Sequence, residues 1–290
     1  MNSRNELPEA NRAALHKAHE SGMTVCLCTG RSVAETRSVI EKLGLDSDAG
    51  VFVFGAIVSE LPTGRTMHRT TIPAATADQL VAHFQARGYP VLALYDPCQA
   101  GVDYRFVRGE RNAEACERWL EMASARVQRL EQWQPDLHEP VRIGVIDEPR
   151  HISGTMASLE REFPPARVRC NSIYAPNYGL HVVECFAPQV NKWHGIMQVA
   201  RGMGITGSQI VAIGDDINDL DMIHQAGLGI AMGNAIEPIK AAARWHVPTN
   251  DAGGVAAAID AILAGAQGEL RIQSPGQACP ESSGDGLIQQ

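Results

Sequence analysis

The chain has 290 residues, a formal net charge of −8 at neutral pH, 44% hydrophobic residues and 20% charged ones, the balance of an ordinary globular protein. Acidic overall, it is a poor polyanion binder, which excludes nucleic acid as its main partner; with no run of eighteen apolar residues, no membrane span is expected. Met1 to Ala14 is polar and lacks the apolar stretch of a secretory signal, so the expected location is the cytoplasm.

In chain order, Leu7 to Ser21 has helical spacing through Leu15 and Ala18 and stops at Gly22. Met23 to Cys28 reads as an apolar strand ending at Thr29-Gly30-Arg31-Ser32, and a helix follows from Val33 to Leu43. A hydroxyl and a glycine at such a junction offer an oxygen and backbone donors to an anion. Asp46-Ser47-Asp48 precedes the strand Val51 to Phe54 and so lies at its amino end, away from the carboxyl ends where an open α/β sheet binds ligands. It reads as a solvated loop. The seven cysteines (Cys26, Cys28, Cys98, Cys116, Cys170, Cys185 and Cys279) are an odd set without a paired framework, and Cys26 with Cys28 reads as buried thiols on one strand face.

From about Gly64 the pattern changes. Helical stretches at Thr76 to Arg87 and Asn112 to Ser124 separate candidate strands at Tyr89 to Tyr95, Asp103 to Val107, Val141 to Ile146 and Arg167 to Ser172. This is an inserted α+β domain, 64 to 182, between a first core part at 1–63 and a second at 183–264. Leu180 to Phe186 is strand-like and leads to Asn191, an N-cap for the helix Trp193 to Arg201. Lys192 then sits in the first turn, where a cation opposes the helix dipole. Either its ammonium meets an anion, or it snorkels to water.

Val211-Ala212-Ile213-Gly214 runs into Asp215-Asp216-Ile217-Asn218-Asp219-Leu220-Asp221, the organising stretch of the chain: strand, acidic loop, helix. Four carboxylates in seven residues repel one another unless a cation joins them, and magnesium suits oxygen donors. The competing reading makes Asp215 or Asp216 a helix cap. Downstream, Leu228 to Met232 is a strand, and Asn234 with Glu237 resembles a capping box. His246 to Thr249 is a short strand, Gly253 to Leu263 a helix, and 265–290 a Gly-, Gln-, Ser- and Pro-rich disordered tail.

Thr29 at a strand end, Lys192 at a helix start, and Asp215, Asn218 and Asp219 in an acidic loop, with an insertion between the first and second, resemble the haloacid dehalogenase superfamily of phosphatases. The similarity is greatest to its Cof-type branch. Phe54-Gly55-Ala56, where the family usually has Asn, and Gly229 to Ala235 echo it. The resemblance implies an α/β, Rossmann-like core with a mostly parallel sheet in three layers and an inserted α+β cap. It also implies a magnesium-dependent phosphatase acting on small phosphorylated metabolites, sugar phosphates included, as a monomer or homodimer. An aspartate would attack phosphorus to give an aspartyl-phosphate, and a second would act as acid and base. Thr29 and Lys192 would bind phosphate, helped by Gly30, Arg31 and Asn218, and Asp215 and Asp219 would hold the metal. The family's first motif, two aspartates one residue apart followed by Gly-Thr, is absent. The expectation is therefore that the chain starts at an internal methionine or is a natural truncation, lacking one strand with its nucleophile, and is inactive as it stands. Two alternatives are a non-catalytic, regulatory protein that binds phospholigands and a structural α/β module. Arg105, Arg142 and His181 are the cap's candidate polar residues for specificity.

Overall fold

The computed structural model describes residues 1–4, 6–45, 49–122, 125–134, 138–175 and 179–265; Asp46-Ser47-Asp48 and the tail beyond Gly265 lie outside them. The first part of the chain runs α1 (Glu9–Glu20), β1 (Cys26–Cys28), α2 (Val33–Leu43) and β2 (Ala49–Phe52), then β3 (Ile57–Glu60) and β4 (Thr66–Arg69). These strands form a sheet ordered β1-β2-β3-β4 in which β1 and β2 are parallel and the rest antiparallel. α2 begins and ends where the sequence indicates: Ser32 and Glu35 form a reciprocal capping box, and Gly44 closes the helix at φ 64°, a conformation that costs glycine little.

The middle of the chain contributes α3 (Ala74–Gln85), β5 (Val91–Leu94), α4 (Pro97–Ala100), β6 (Tyr104–Val107), α5 (Ala113–Met122), β7 (Val127–Leu130), β8 (Arg142–Asp147), α6 (Ile152–Glu162), β9 (Arg169–Ala175) and β10 (Leu180–Phe186). Their six strands are ordered β7-β6-β5-β8-β10-β9. Every residue of β8 is buried because apolar clusters cover both faces. Ile143 and Val145 pack toward α3 and α6 with Leu80, Phe84 and Leu159. On the other face Leu92, Leu94 and Ile146 share a cluster with Ile40 of α2 and Phe52 to Ile57, so the inner cluster joins this sheet to the first. Because β4 pairs with β3 and β10 pairs with β8 and β9, sheet membership changes after Arg69 and after Phe186.

The last part supplies α7 (Lys192–Gly202), β11 (Val211–Gly214), α8 (Leu220–Gln225), β12 (Leu228–Ala231), α9 (Glu237–Ala242), β13 (Trp245–His246) and α10 (Gly254–Leu263). Its sheet is parallel and ordered β11-β12-β13. β1 and β11 are thus terminal strands of separate sheets. α7 packs on β1, β2 and β3 and against α8, which lies on β11 and β12, while α1 packs against α10. Among the described residues no helix is long and apolar enough to cross a membrane.

Two local expectations fail. The strand read as Val51 to Phe54 stops at Phe52, since Val53 (φ 53°) and Phe54 (φ 56°) turn left-handed, a turn that buries the Phe54 ring against Phe186 with centroids 5.6 Å apart. Asn234 does not cap α9, whose cap position is Ile236; its amide is used elsewhere, as described next. β3, β4, β7, α4 and α6 have no counterpart in the sequence reading, because their short or mixed patterns carry weak periodicity.

Candidate functional site

The acidic loop folds around one carboxylate. Asp219, 3% exposed, accepts the backbone N–H groups of Asp215 and Asp216 on Oδ2 at 2.9 and 3.1 Å. Its Oδ1 accepts the Lys192 ammonium at 2.5 Å. Gly214 is required by this arrangement, since a Cβ there would stand 2.6 Å from the Asp219 side chain. Asp216 rather than Asp215 caps the short 3-10 turn Ile217–Asp219 that leads into α8, accepting from Ile217 N–H at 2.7 Å.

Lys192 is buried at the first turn of α7, which Asn191 caps by accepting from His194 N–H at 2.7 Å. The dipole penalty is met by Asp219, and an ammonium has three donors, so two remain after this bond. Asp215 is held separately: Asn234 Nδ2 donates to its Oδ2 at 2.9 Å, while Asn250 N–H donates to Asn234 Oδ1 at 2.9 Å. Asn234, read from sequence as a capping residue, is therefore a support for Asp215. Burial, and after it the charge of Asp219, raise the Asp215 carboxyl above its usual range. A bound cation would relieve both costs.

Lys192, Asn191, Asp216, Asn218 and Phe54 line one side of a cleft of about 490 Å³, and Arg169 to Tyr174 of β9 line the other. Asn218 Oδ1 is buried there without a hydrogen-bond partner. Arg169 spans the cleft to Asp221 of α8 at 3.4 Å.

Thr29 and Gly30 reach this region by another route. Cys28, just before them, lies close enough to Lys192 and Asp219 to feel both charges, although burial dominates and pushes its thiol up. A Cβ on Gly30 would come within 2.5 Å of the Phe54 ring, so glycine here lets the ring close the cleft floor. The Thr29 hydroxyl accepts from Arg31 N–H at 3.2 Å, which leaves its proton to donate. Arg31 is exposed, and of the residues expected from sequence Lys192 and Asn218 line the cleft, whereas Thr29, Gly30, Arg31, Asp215 and Asp219 lie outside its lining.

The cap residues picked from sequence serve other contacts. Arg142 is buried between Glu184 at 2.5 Å and the Tyr104 hydroxyl at 2.6 Å; Arg105 bonds Gln128 at 2.9 Å; and His181 bonds Ser172 at 3.0 Å. Sequence reasoning assigned no role to Arg169, Asp221 or Asn234; Asp221 was visible as a member of the acidic loop and Asn234 in the Gly-Asn-Ala run after a strand, whereas Arg169 had no signal.

As a magnesium site the donor set is sparse. Asp215 keeps Oδ1 without a hydrogen bond from the described residues, Asp219 has both oxygens engaged, and no three His, Cys, Asp or Glu side chains converge among the described residues. That suits an ion taking one or two carboxylates plus a phosphate and water, rather than an all-protein cage.

The haloacid dehalogenase-like hydrolase family model matches residues 1–259. The chain is 28% identical over 270 residues to the phosphatase YwpJ of Bacillus subtilis, covering 88% of this chain and 93% of that protein. It is 25% identical over 285 residues to the 5-amino-6-(5-phospho-D-ribitylamino)uracil phosphatase YwtE of the same organism, covering 91% and 95%. The crystal structure of a haloacid dehalogenase-like hydrolase from Bacteroides thetaiotaomicron superposes with a TM-score of 0.73 at 22% identity, over 90% of this chain and 95% of that one.

Proposed function

Since the chain belongs to the haloacid dehalogenase-like hydrolase family, and is by that kinship a phosphoric monoester hydrolase, we propose that its cleft binds the phosphate of a small phosphorylated metabolite in the cytoplasm. The Lys192 ammonium, with Asn218 and the Thr29 hydroxyl, is the phosphate-binding set, and Asp215 is the carboxylate that would hold a magnesium ion. The observation that carries this reading is the Lys192–Asp219 pair: the aspartate is fully engaged, so the lysine is fixed in direction yet keeps donors for a second anion. Phosphoryl transfer asks chiefly for such positioning and charge stabilisation.

In this reading Asp219, expected from sequence to hold the metal, instead orients Lys192 and the loop backbone. Gly30 keeps the turn close to Phe54, and Arg31 stays at the rim. When bound, magnesium would neutralise phosphate charge. The nucleophile implied by the resemblance is an aspartate that closes a central strand before the first helix. No described carboxylate takes this role. The second reading, a non-catalytic phospholigand-binding protein, rests on the same observation.

Calorimetry with MgCl2 and inorganic phosphate is expected to show binding of each strengthened by the other, lost in Lys192→Ala. Absence of any coupled binding would sink the proposal. A version extended by a strand carrying Asp-x-Asp should gain magnesium-dependent activity that Asp215→Ala removes; no gain would favour the non-catalytic reading.

A further inference from the structure

Cys170 of β9 and Cys185 of β10 stand directly opposite each other in the antiparallel ladder, and their free thiols lie 3.5 Å apart. Opposed residues of such a ladder have Cα atoms about 4.5 or 5.5 Å apart. Both spacings fall inside the roughly 4.4–6.8 Å that a disulfide bridges. The backbone is therefore already placed for a bond, and rotation of the two side chains would bring the sulfurs to bonding distance.

The two sulfurs are unlike. Cys185 is fully buried, whereas Cys170 is partly exposed and lies between Arg169 and Asn171 in the cleft lining, so a small oxidant meets Cys170 first. A hydrogen bond from Cys185 draws the Cys170 thiol below its ordinary range. The same bond, and burial after it, push the Cys185 thiol well above that range. The thiolate is the attacking form, so Cys170 is suited to be oxidised and Cys185, in contact with it, to resolve the product.

The pair also sits where a bond would matter. β9 is the last strand of its sheet and pairs with β10 alone, while β10 is held on its other side by β8. Arg169 to Tyr174 of β9 form one wall of the cleft. A covalent link at Cys170 would act on that wall.

We propose that Cys170 and Cys185 are a reversible dithiol–disulfide switch, driven by a hydroperoxide, that fastens the β9 wall of the cleft to β10. The Cys170 thiolate attacks a peroxide oxygen and the O–O bond breaks; this gives a sulfenic acid on Cys170, and the leaving oxygen takes up a proton as water or an alcohol. The Cys185 sulfur then attacks that of Cys170. The S–S bond forms, the S–O bond breaks, and water leaves with the Cys185 proton. In total the two thiols give up two electrons and the peroxide gains them. Two equivalents of an external thiol reverse the change by exchange.

Trypsin cuts after Arg169 and Lys192 and nowhere between, so both sulfurs fall in one peptide, 170–192. After hydrogen peroxide treatment of the full chain, denaturation and iodoacetamide, this peptide should return unalkylated and two hydrogen atoms lighter; dithiothreitol before alkylation should restore both sites. Cys185→Ala should leave a sulfenic acid on Cys170 that dimedone captures, and Cys170→Ser should leave Cys185 reduced. Amide hydrogen exchange in β9 should slow several-fold on oxidation of the unaltered chain and not in Cys170→Ser. A doubly alkylated peptide after peroxide, or dimedone capture at Cys185 in Cys170→Ser, overturns the switch. A disulfide that leaves exchange in β9 unchanged overturns its action on the cleft wall.

Discussion

Two buried ion pairs of equal length, both 2.5 Å, sit in this molecule and are built differently. Arg142–Glu184 lies inside the six-stranded sheet, between β8 and β10, with Tyr104 of β6 taking a second guanidinium N–H. Glu184 Oε2 is buried with no hydrogen-bond partner, and burial raises its carboxyl above the usual range. Lys192–Asp219 joins two helical segments at the ends of separate sheets, and its carboxylate is saturated by two backbone donors. The first pair is enclosed and imperfectly satisfied; the second is satisfied on the acid side and open on the base side, against a cleft. A buried pair is weak support for stability in general, so what distinguishes the two is where the unused hydrogen-bonding capacity faces.

That contrast can be broken by substitution. The largest effect is expected for Asp219→Ala, which strands the Lys192 charge and releases two backbone donors; urea unfolding should show a loss of about 3–5 kcal/mol, with loss of phosphate binding. Next comes Gly214→Ala. The added methyl meets Asp219 at 2.6 Å and should cost about 1–3 kcal/mol, read by the same unfolding experiment. Replacing the enclosed pair as a unit, Arg142→Met with Glu184→Leu, should leave stability within about 1 kcal/mol of the original or raise it and leave phosphate affinity unchanged. A matching double replacement of Lys192 and Asp219 should abolish that affinity. If both double variants behave alike, the distinction drawn here is wrong.

The smallest effect concerns Asp215. Its folded-state carboxyl titrates above the usual 3.8, so its protonated form is favoured on folding. The associated stability is present below the unfolded value and lost as pH rises through the folded one. Asp215→Asn should therefore stabilise the metal-free protein at neutral pH by no more than about 0.5 kcal/mol, because the group is solvent-screened. It should also flatten the pH dependence of the melting temperature just above 3.8, while weakening magnesium-coupled phosphate binding.

Legibility from sequence followed the range of the forces involved. α2, α7, α10 and β10 were readable with their boundaries nearly right because caps, glycine stops and local periodicity act within a few residues. The change in pattern near residue 64 was readable, but the sheet each strand joins was not, since a strand belongs to whichever sheet its backbone bonds, and that is settled by partners far along the chain. Asp215, Asp219 and Asn218 were readable as a cluster because one loop carries them. Their division of labour was not: Asp219 as the anchor of Lys192 and Asn234 as the support of Asp215 are contacts over 27 and 19 residues.

By itself, then, the sequence determined the local elements, the acidic loop and the chemical types available at the site, all of which are set by nearest neighbours along the chain. Only the tertiary structure decided which carboxylate is saturated and which is open, that β9 lines the cleft, and that β1 and β11 end separate sheets. Those are matters of long-range hydrogen bonding and packing, where a residue's role depends on which distant group has already used its donors and acceptors.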